Sequence, residues 1–300
     1  METIGVDLGN CNIKTSKGII VPSLITSGEN YLISTGYQLE FNNEILIIGE
    51  GDYDTNLDKI SKENLLPMLC LALGLSTKEE FVRIVLGLPI NQYRSKKDKM
   101  IEVIEDNKIL NFKLNGVERT IYIEDAAIFP EGVATYYSLD VDKRRELIEK
   151  DLIVLDIGGR TTDIALLKAG KKRSVAKSTS LDVGMINIYN DMINEINSLY
   201  TLGLNIEDAE GIIKNGLEVD GEKKDTEFIK DIIRNNIERV FKELNISYPV
   251  RTSPILVTGG GGRSFFKSIK RRYPSARMIE DNLFSNANGY KRVGEKLWRD

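Results

Sequence analysis

A chain of 300 residues, 41% hydrophobic and 29% charged, has the make-up of a patterned globular protein with room for two domains sharing a cleft. A net charge of −4 and a pI near 5.3 argue against direct nucleic-acid binding, which needs a concentrated basic face; the short clusters Lys171, Lys172, Arg173 and Lys270, Arg271, Arg272 read as a solvated turn and a solvated helix end. No histidine and only two cysteines, Cys11 and Cys70, exclude a His-based triad and leave too few soft ligands for zinc, so any hydrolysis must use carboxylates, backbone amides and a metal.

The opening METIGVDLGN runs directly into a strand-like segment without the basic and then apolar stretch of a secretory signal, and no window approaches about 18 consecutive apolar residues. A cytoplasmic location without membrane association is therefore expected. Residues 4–18, IGVDLGNCNIKTSKG, form an apolar run ending in Asp-x-Gly, a polar turn and a second apolar run, the pattern of a β-hairpin. Residues 20–80 add β-like runs, YLISTGY and EILIIGEGDY, and a helix over KISKENLLPMLCLALGL bent at Pro67; together they read as a lateral insertion. Ser76 and Glu79 stand at capping-box spacing. The buried-strand pattern FVRIVLGLPI followed by the helical QYRSKKDKMIEVIED gives the βα order of an open α/β sheet. Next come a hairpin turning at Asn115 and Gly116, a strand through Ile121 to Ile123, a helix beginning near Pro130 and a charged helical stretch from Asp142 to Asp151.

The second half repeats the opening. IVLDIGGRTTDIALLKAG, residues 153–170, has the form of residues 4–18, with Asp156 in the place of Asp7 and Gly158 in that of Gly9. The copies stand half a chain apart, which points to a duplicated domain divided near residue 150. Helices follow at about 184–200, 206–215 and 225–244, then the strand SPILVTGGGG, the helix RSFFKSIKRRYP and a terminal helix over ANGYKRVGEKLWR.

Two facing Asp-x-Gly hairpins can grip a polyphosphate, because glycine lets backbone amides turn inward around an anion. Carboxylates beside phosphate would repel it, so Asp7 and Asp156 imply a bridging Mg2+ held through water. A single Asp-x-Gly belongs to ordinary turns; two inside the same longer pattern point to function. In ILVTGGGGRSFF, four glycines, Gly259 to Gly262, exceed the one or two that a tight strand-to-helix turn needs, and they would let a ring or ribose press on bare backbone. GxxxxGK[ST] is absent and GGGGRS lacks the context of a dinucleotide fingerprint, so the nucleotide would be held by neither a P-loop nor a Rossmann turn.

Phosphate hairpin, connecting helix, second hairpin and glycine-rich loop, in that order, resemble the actin, heat-shock chaperone and sugar-kinase superfamily. On IGVDLGNCNIKT, VRIVLGLPINQY, FPEGVATYY, VLDIGGRTTDIALL, ILVTGGGG and SNANGYKRVGEKL, nearly the whole chain resembles the ParM/StbA family of actin-like plasmid-segregation ATPases. The resemblance implies an α/β actin-like fold: two related domains, each with a mixed five-stranded sheet flanked by helices, and a nucleotide cleft between them. It implies a first domain over 1–150 with the insertion at about 20–80. A second domain over 151–300 would carry an insertion at about 200–248 and a terminal helix at about 286–300 packing back on the first domain.

Carried over residue by residue, the resemblance implies a first phosphate loop of Asp7, Gly9, Asn10, Cys11, Asn12 and Lys14 and a second of Asp156, Gly158, Gly159, Arg160, Thr161 and Thr162, with Gly259 to Gly262 against the nucleoside. Glu131 matches the position that orients the attacking water, although an acidic residue at a helix start is also an ordinary cap. Asp163 is either a support for the metal's water shell or a turn cap; Lys214 is either a contact to the base or a solvated helix end. Cys11 stands where relatives often have a small polar residue, which puts one phosphate contact in doubt. The implied activity is a Mg2+-dependent ATPase or GTPase that forms a homopolymer on triphosphate binding, disassembles after hydrolysis and segregates a plasmid through a DNA-binding adaptor. A small-molecule kinase of the type III pantothenate kinase kind is the alternative, since its opening resembles Asp7 to Asn10; it would need an acceptor site and a base that the sequence does not supply. A DnaK-type chaperone would need a peptide-binding extension beyond Asp300.

Overall fold

The computed structural model describes residues 1–28, 35–53, 58–61 and 63–299. The first half runs β1 (Glu2–Leu8), β2 (Asn12–Thr15), β3 (Ile20–Pro22), β4 (Leu24–Ser27), β5 (Tyr37–Phe41), β6 (Glu44–Ile48), β7 (Asp52–Tyr53), α1 (Leu65–Ser76), β8 (Phe81–Leu88), α2 (Ile90–Asp106), β9 (Ile109–Leu114), β10 (Val117–Pro130), α3 (Val133–Ser138) and α4 (Val141–Leu147). The second runs β11 (Leu152–Ile157), β12 (Thr162–Leu167), β13 (Val175–Leu181), α5 (Met185–Tyr200), a 3-10 turn (Ile206–Asp208), α6 (Ala209–Asn215), the hairpin β14 (Leu217–Val219) and β15 (Glu222–Lys224), α7 (Phe228–Ser247), β16 (Ile255–Thr258), α8 (Gly260–Arg272), β17 (Arg277–Met278) and α9 (Ser285–Leu297).

Two mixed sheets repeat one topology. In the second, β13-β12-β11-β16-β17, three neighbouring parallel strands carry an antiparallel pair at one edge. The first contains the same arrangement, β3-β2-β1-β8-β10, but does not stop at five strands. β10 pairs antiparallel with the preceding β9, whose free edge accepts β5 through Leu39 opposite Leu114, so the lateral strands β4 to β7 prolong the same sheet. The central strands read as apolar runs because helices cover both faces: Ile4 to Leu8 and Ile84 to Leu88 are all buried.

Several local expectations change. Asn115 and Gly116 do make the turn, both at positive φ (48° and 79°) as a two-residue hairpin requires. The following strand reaches from Val117 to Pro130, because its first part pairs with β9 and its second with β8 across an irregularity between Ile123 and Asp125. Pro130 therefore ends a strand, and α3 starts at Val133 after Gly132. Ser76 and Glu79 do not form a capping box; Ser76 closes α1 and its hydroxyl donates to Thr15 Oγ1 at 2.8 Å. Pro67 lies in the first turn of α1, where its missing N–H costs nothing. Residues 31–34 of YLISTGY and Lys62 of the expected helix lie outside the described residues. Arg173 is not solvated: its guanidinium donates to the carbonyls of Lys150 at 2.6 Å, Lys168 at 3.0 Å and Leu147, and lies over the Tyr136 ring.

The terminal helix α9 crosses the first sheet rather than the second. It packs on β1, β8 and α3, and the approach is close enough that a Cβ on Gly289 would stand 2.0 Å from the Ala134 carbonyl. Fully buried Tyr290 fills the space beneath Gly87. Helix α9 thus lies under the first hairpin, against β1 and β2.

Candidate functional site

The two Asp-x-Gly hairpins share their tip geometry. Gly9 N–H donates to the Asn12 carbonyl at 3.1 Å, and Gly158 N–H donates to the Thr161 carbonyl at 2.8 Å. Register matches as well: Asp7 stands opposite Lys14, and Asp156 opposite Asp163. The tips face a common cavity of about 650 Å³, lined from the first half by Asp7, Gly9, Asn10, Cys11, Asn12, Lys14 and Glu131, and from the second by Asp156, Gly158, Gly159, Arg160, Thr161 and Asp163. A Cβ on Gly159 would stand 1.7 Å from Cys11 Sγ, so the thiol fills the space that the second tip leaves open.

β16 ends at Thr258, and Gly259 turns the chain at φ 81° into the first turn of α8. A Cβ there would lie 2.5 Å from Asp156 Oδ1 and 2.3 Å from the Ile157 carbonyl, so only glycine permits this approach. Gly259, Gly260, Gly261, Arg263 and Ser264 line the cavity, which places the N-terminal end of a 13-residue helix, favourable to anions, on its wall. Gly262 is buried within α8 and is not on that wall. Thr162 is also a structural residue, its hydroxyl donating to the Val183 carbonyl at 2.6 Å. Lys214 is exposed in the last turn of α6, away from the cavity; Ile206, Glu207 and Glu210 supply that wall instead, with Tyr189 OH donating to Glu210 at 3.0 Å.

Charge at the floor is finely divided. Burial alone would raise the Asp7 carboxyl, but the Lys14 ammonium at 3.0 Å and the charge of Lys59 outweigh it and hold Asp7 below its ordinary value. Burial pushes Asp156 up to about 6 despite Lys14 and a hydrogen bond from Asn286. Burial, reinforced by the negative charge of Glu131, pushes Asp163 up to about 7, and its buried Oδ1 has no hydrogen-bond partner. Glu131 hangs from the turn between β10 and α3, its N–H donating to the Leu88 carbonyl at 2.8 Å. Burial raises it too, and its ion pair with Lys59 only partly offsets this.

Lys59 and Asn286 are functional neighbours that sequence reasoning missed. Asn286 Nδ2 donates to Asp156 Oδ2 at 2.9 Å, and its Oδ1 accepts from Gly132 N–H at 3.0 Å, the amide next to Glu131. Their partners lie far off in the chain, where no local pattern announces them.

The groups here that suit a hard cation are the carboxylate oxygens of Asp7, Asp156 and Asp163. Among the described residues no group of three or more His, Cys, Asp or Glu could cage an ion. Carboxylates raised by burial and an unpartnered buried oxygen fit a cation that keeps most of its water and takes its other ligands from phosphate, the habit of Mg2+.

Residues 5–133 match the family described as actin like proteins, N terminal domain, and residues 154–271 match that of the archaeal actin homologue MreB-like, C-terminal. Among solved structures, a non-polymerisable quadruple mutant of pCBH ParM is 25% identical with a TM-score of 0.78, covering 98% of this chain and 99% of its own. A 15-stranded ParM filament from Clostridium botulinum is 23% identical with a TM-score of 0.83 (99% and 100% covered), and an archaeal actin homologue in complex with ADP is 21% identical with a TM-score of 0.82 (99% and 100% covered). A search of curated proteins finds no match. No described helix is long and apolar enough to cross a membrane.

Proposed function

This chain belongs to the actin-like proteins, and we propose that it is a Mg2+-dependent ATPase or GTPase of the ParM type that assembles into a homopolymer with bound triphosphate and disassembles after hydrolysis. The observation that carries this is the pair of hairpin tips with one geometry and one register, set in opposite walls of a single cavity with Glu131 beside them. The two halves, divided near residue 150, act as the two domains that grip the nucleotide.

The phosphates lie between the tips, and Lys14 stands on the first wall to meet their charge. The nucleoside lies along Gly259 to Gly261 with Arg263, toward Tyr189 and Glu210. Asp7, Asp156 and Asp163 would hold the water shell of Mg2+, which when bound would neutralise the charge developing on the transferred phosphoryl group. Glu131 accepts a hydrogen bond from the attacking water and orients it, an interaction strongest in the transition state. The solved ParM filament and the ADP complex of the archaeal homologue support self-assembly and nucleotide binding respectively. From the sequence resemblance to the ParM/StbA family, the cargo is a plasmid reached through a DNA-binding adaptor; the acidic charge balance supports a chain that does not bind nucleic acid directly, and its place is the cytoplasm without membrane binding.

Phosphate release measured with Mg-ATP and Mg-GTP, with and without EDTA, tests the enzymatic part. Metal-dependent release is expected; no release, together with transfer of phosphate to a small alcohol such as pantothenate, would favour the kinase.

A further inference from the structure

Lys59 is 3% exposed, and its ammonium is ion-paired with the carboxylate of Glu131, with the Gly87 carbonyl at 3.5 Å on its other side. Glu131 lines the cavity and Lys59 does not, so the lysine stands behind the carboxylate. The two come from different parts of the first half: Glu131 from the turn after β10, Lys59 from the lateral stretch between β7 and α1. Next to it, Asp58 Oδ1 accepts from the Ile60 amide at 3.2 Å and Oδ2 pairs with Lys96 on α2 at 2.7 Å, which ties residues 58–60 to α2.

We propose that Lys59 is a positioning residue for hydrolysis: it seats the Glu131 carboxylate on the cavity wall and makes that seat depend on where the lateral stretch lies. The inference rests on the hydrolytic reading above. A buried carboxylate that loses its partner is left uncompensated, and it then turns away or takes up a proton; either way it no longer accepts a hydrogen bond from the attacking water. Lys59 itself needs no contact with nucleotide. The lateral segment, which neither hairpin tip belongs to, gains a direct hold on the rate, so any contact that shifts it alters hydrolysis without altering the phosphate grip.

The test is a double-mutant cycle on single-turnover phosphate release from bound triphosphate. Lys59→Met is expected to slow release about 10- to 100-fold with nucleotide affinity within about 3-fold of the parent. Lys59→Arg recovers part of the loss. The variant carrying both Lys59→Met and Glu131→Gln is no slower than the slower single variant, because both act through one carboxylate. A purely structural lysine would give multiplying losses. Parent-like release in Lys59→Met, or multiplied losses in the double variant, with Glu131→Gln slow, overturns the positioning role alone. Parent-like release in Glu131→Gln overturns the hydrolytic reading and this inference with it. Should Lys59→Met fail to fold, Lys59→Arg takes its place: slower release at unchanged affinity supports the role and parent-like release overturns it.

Discussion

Asn286 donates to the carboxylate of Asp156 at 2.9 Å while its carbonyl oxygen accepts from the Gly132 amide at 3.0 Å, so one side chain of the terminal helix touches both halves of the site. Beside it Ser285 bridges Thr258 and Thr135 through hydroxyl contacts of 2.5 and 3.3 Å. Helix α9 thereby registers the turn carrying Glu131 against the strand carrying Asp156. The consequence is testable. Asn286→Ala should cost about 1–3 kcal/mol, the ordinary loss for stranding buried hydrogen-bond partners. Asn286→Asp should cost more, because it sets a second carboxylate against Asp156. Thermal melting of both variants checks this, and an Asn286→Asp variant as stable as the parent would contradict it.

Glu131→Gln is expected to leave nucleotide affinity within about 3-fold while slowing phosphate release at least ~10-fold, since water positioning acts mainly in the transition state. Calorimetric titration and phosphate release on the same preparation separate the two quantities. Equal loss in both would mean that Glu131 serves binding.

Asp156 and Asp163 should differ. Asp156 is hydrogen-bonded to Asn286 of α9 and lies against the Gly259 turn, whereas Asp163 faces it from β12. Asp156→Ala should weaken Mg2+-dependent nucleotide binding far more than Asp163→Ala. Titrations with and without Mg2+ decide, and equal effects would reverse the assignment of the second hairpin.

The nucleotide-free chain should lose stability as pH rises. Burial lifts Asp163 to about 7 and Asp156 to about 6, above the ordinary carboxylate values they recover on unfolding. The folded state therefore binds more protons than the unfolded state between about pH 4 and 7, and stability present at the acid end is lost across that window. Asp163→Asn should flatten this dependence and stabilise the nucleotide-free chain at pH 8 by ~1–3 kcal/mol. Denaturant melts at pH 5 and pH 8 measure it; a variant with the parent's pH dependence would show that Asp163 is not the group responsible.

Gly159→Ala should weaken nucleotide binding at least ~10-fold, because its Cβ would meet Cys11 Sγ at 1.7 Å and force the two tips apart. Adding Cys11→Gly should restore most of the affinity. No recovery in the double variant would show that the tips tolerate the methyl and that the loss arises elsewhere.

Both hairpins were legible in the sequence because everything that makes them is local: an apolar run, Asp-x-Gly, a polar tip and a return strand that sets Asp7 opposite Lys14 and Asp156 opposite Asp163. The Gly259 turn was legible for the same reason. Local patterns also misled. Ser76 has the spacing of a helix start but ends α1, and Pro130 has the chemistry of a first helical turn but ends β10, because tertiary pairing with β8 runs the strand to that point. Lys59 and Asn286 escaped notice because their partners Glu131 and Asp156 lie 72 and 130 residues away, and a lysine before a helix or an asparagine within one looks like any solvated residue. Arg173 looked solvated until the fold wrapped it in the carbonyls of Leu147, Lys150 and Lys168.

The central claim is that triphosphate in the cleft drives assembly and that hydrolysis reverses it, which requires a head-to-tail contact that does not close into a ring and a nucleotide with different affinities for the free and assembled forms. Sedimentation across a range of protein concentrations, with Mg2+ and either a slowly hydrolysed triphosphate analogue or the diphosphate, tests this most directly. The account predicts pelleting above a critical concentration with the analogue, and a much higher critical concentration or none with the diphosphate. A chain that stays monomeric with both nucleotides while binding each in the cleft would contradict it.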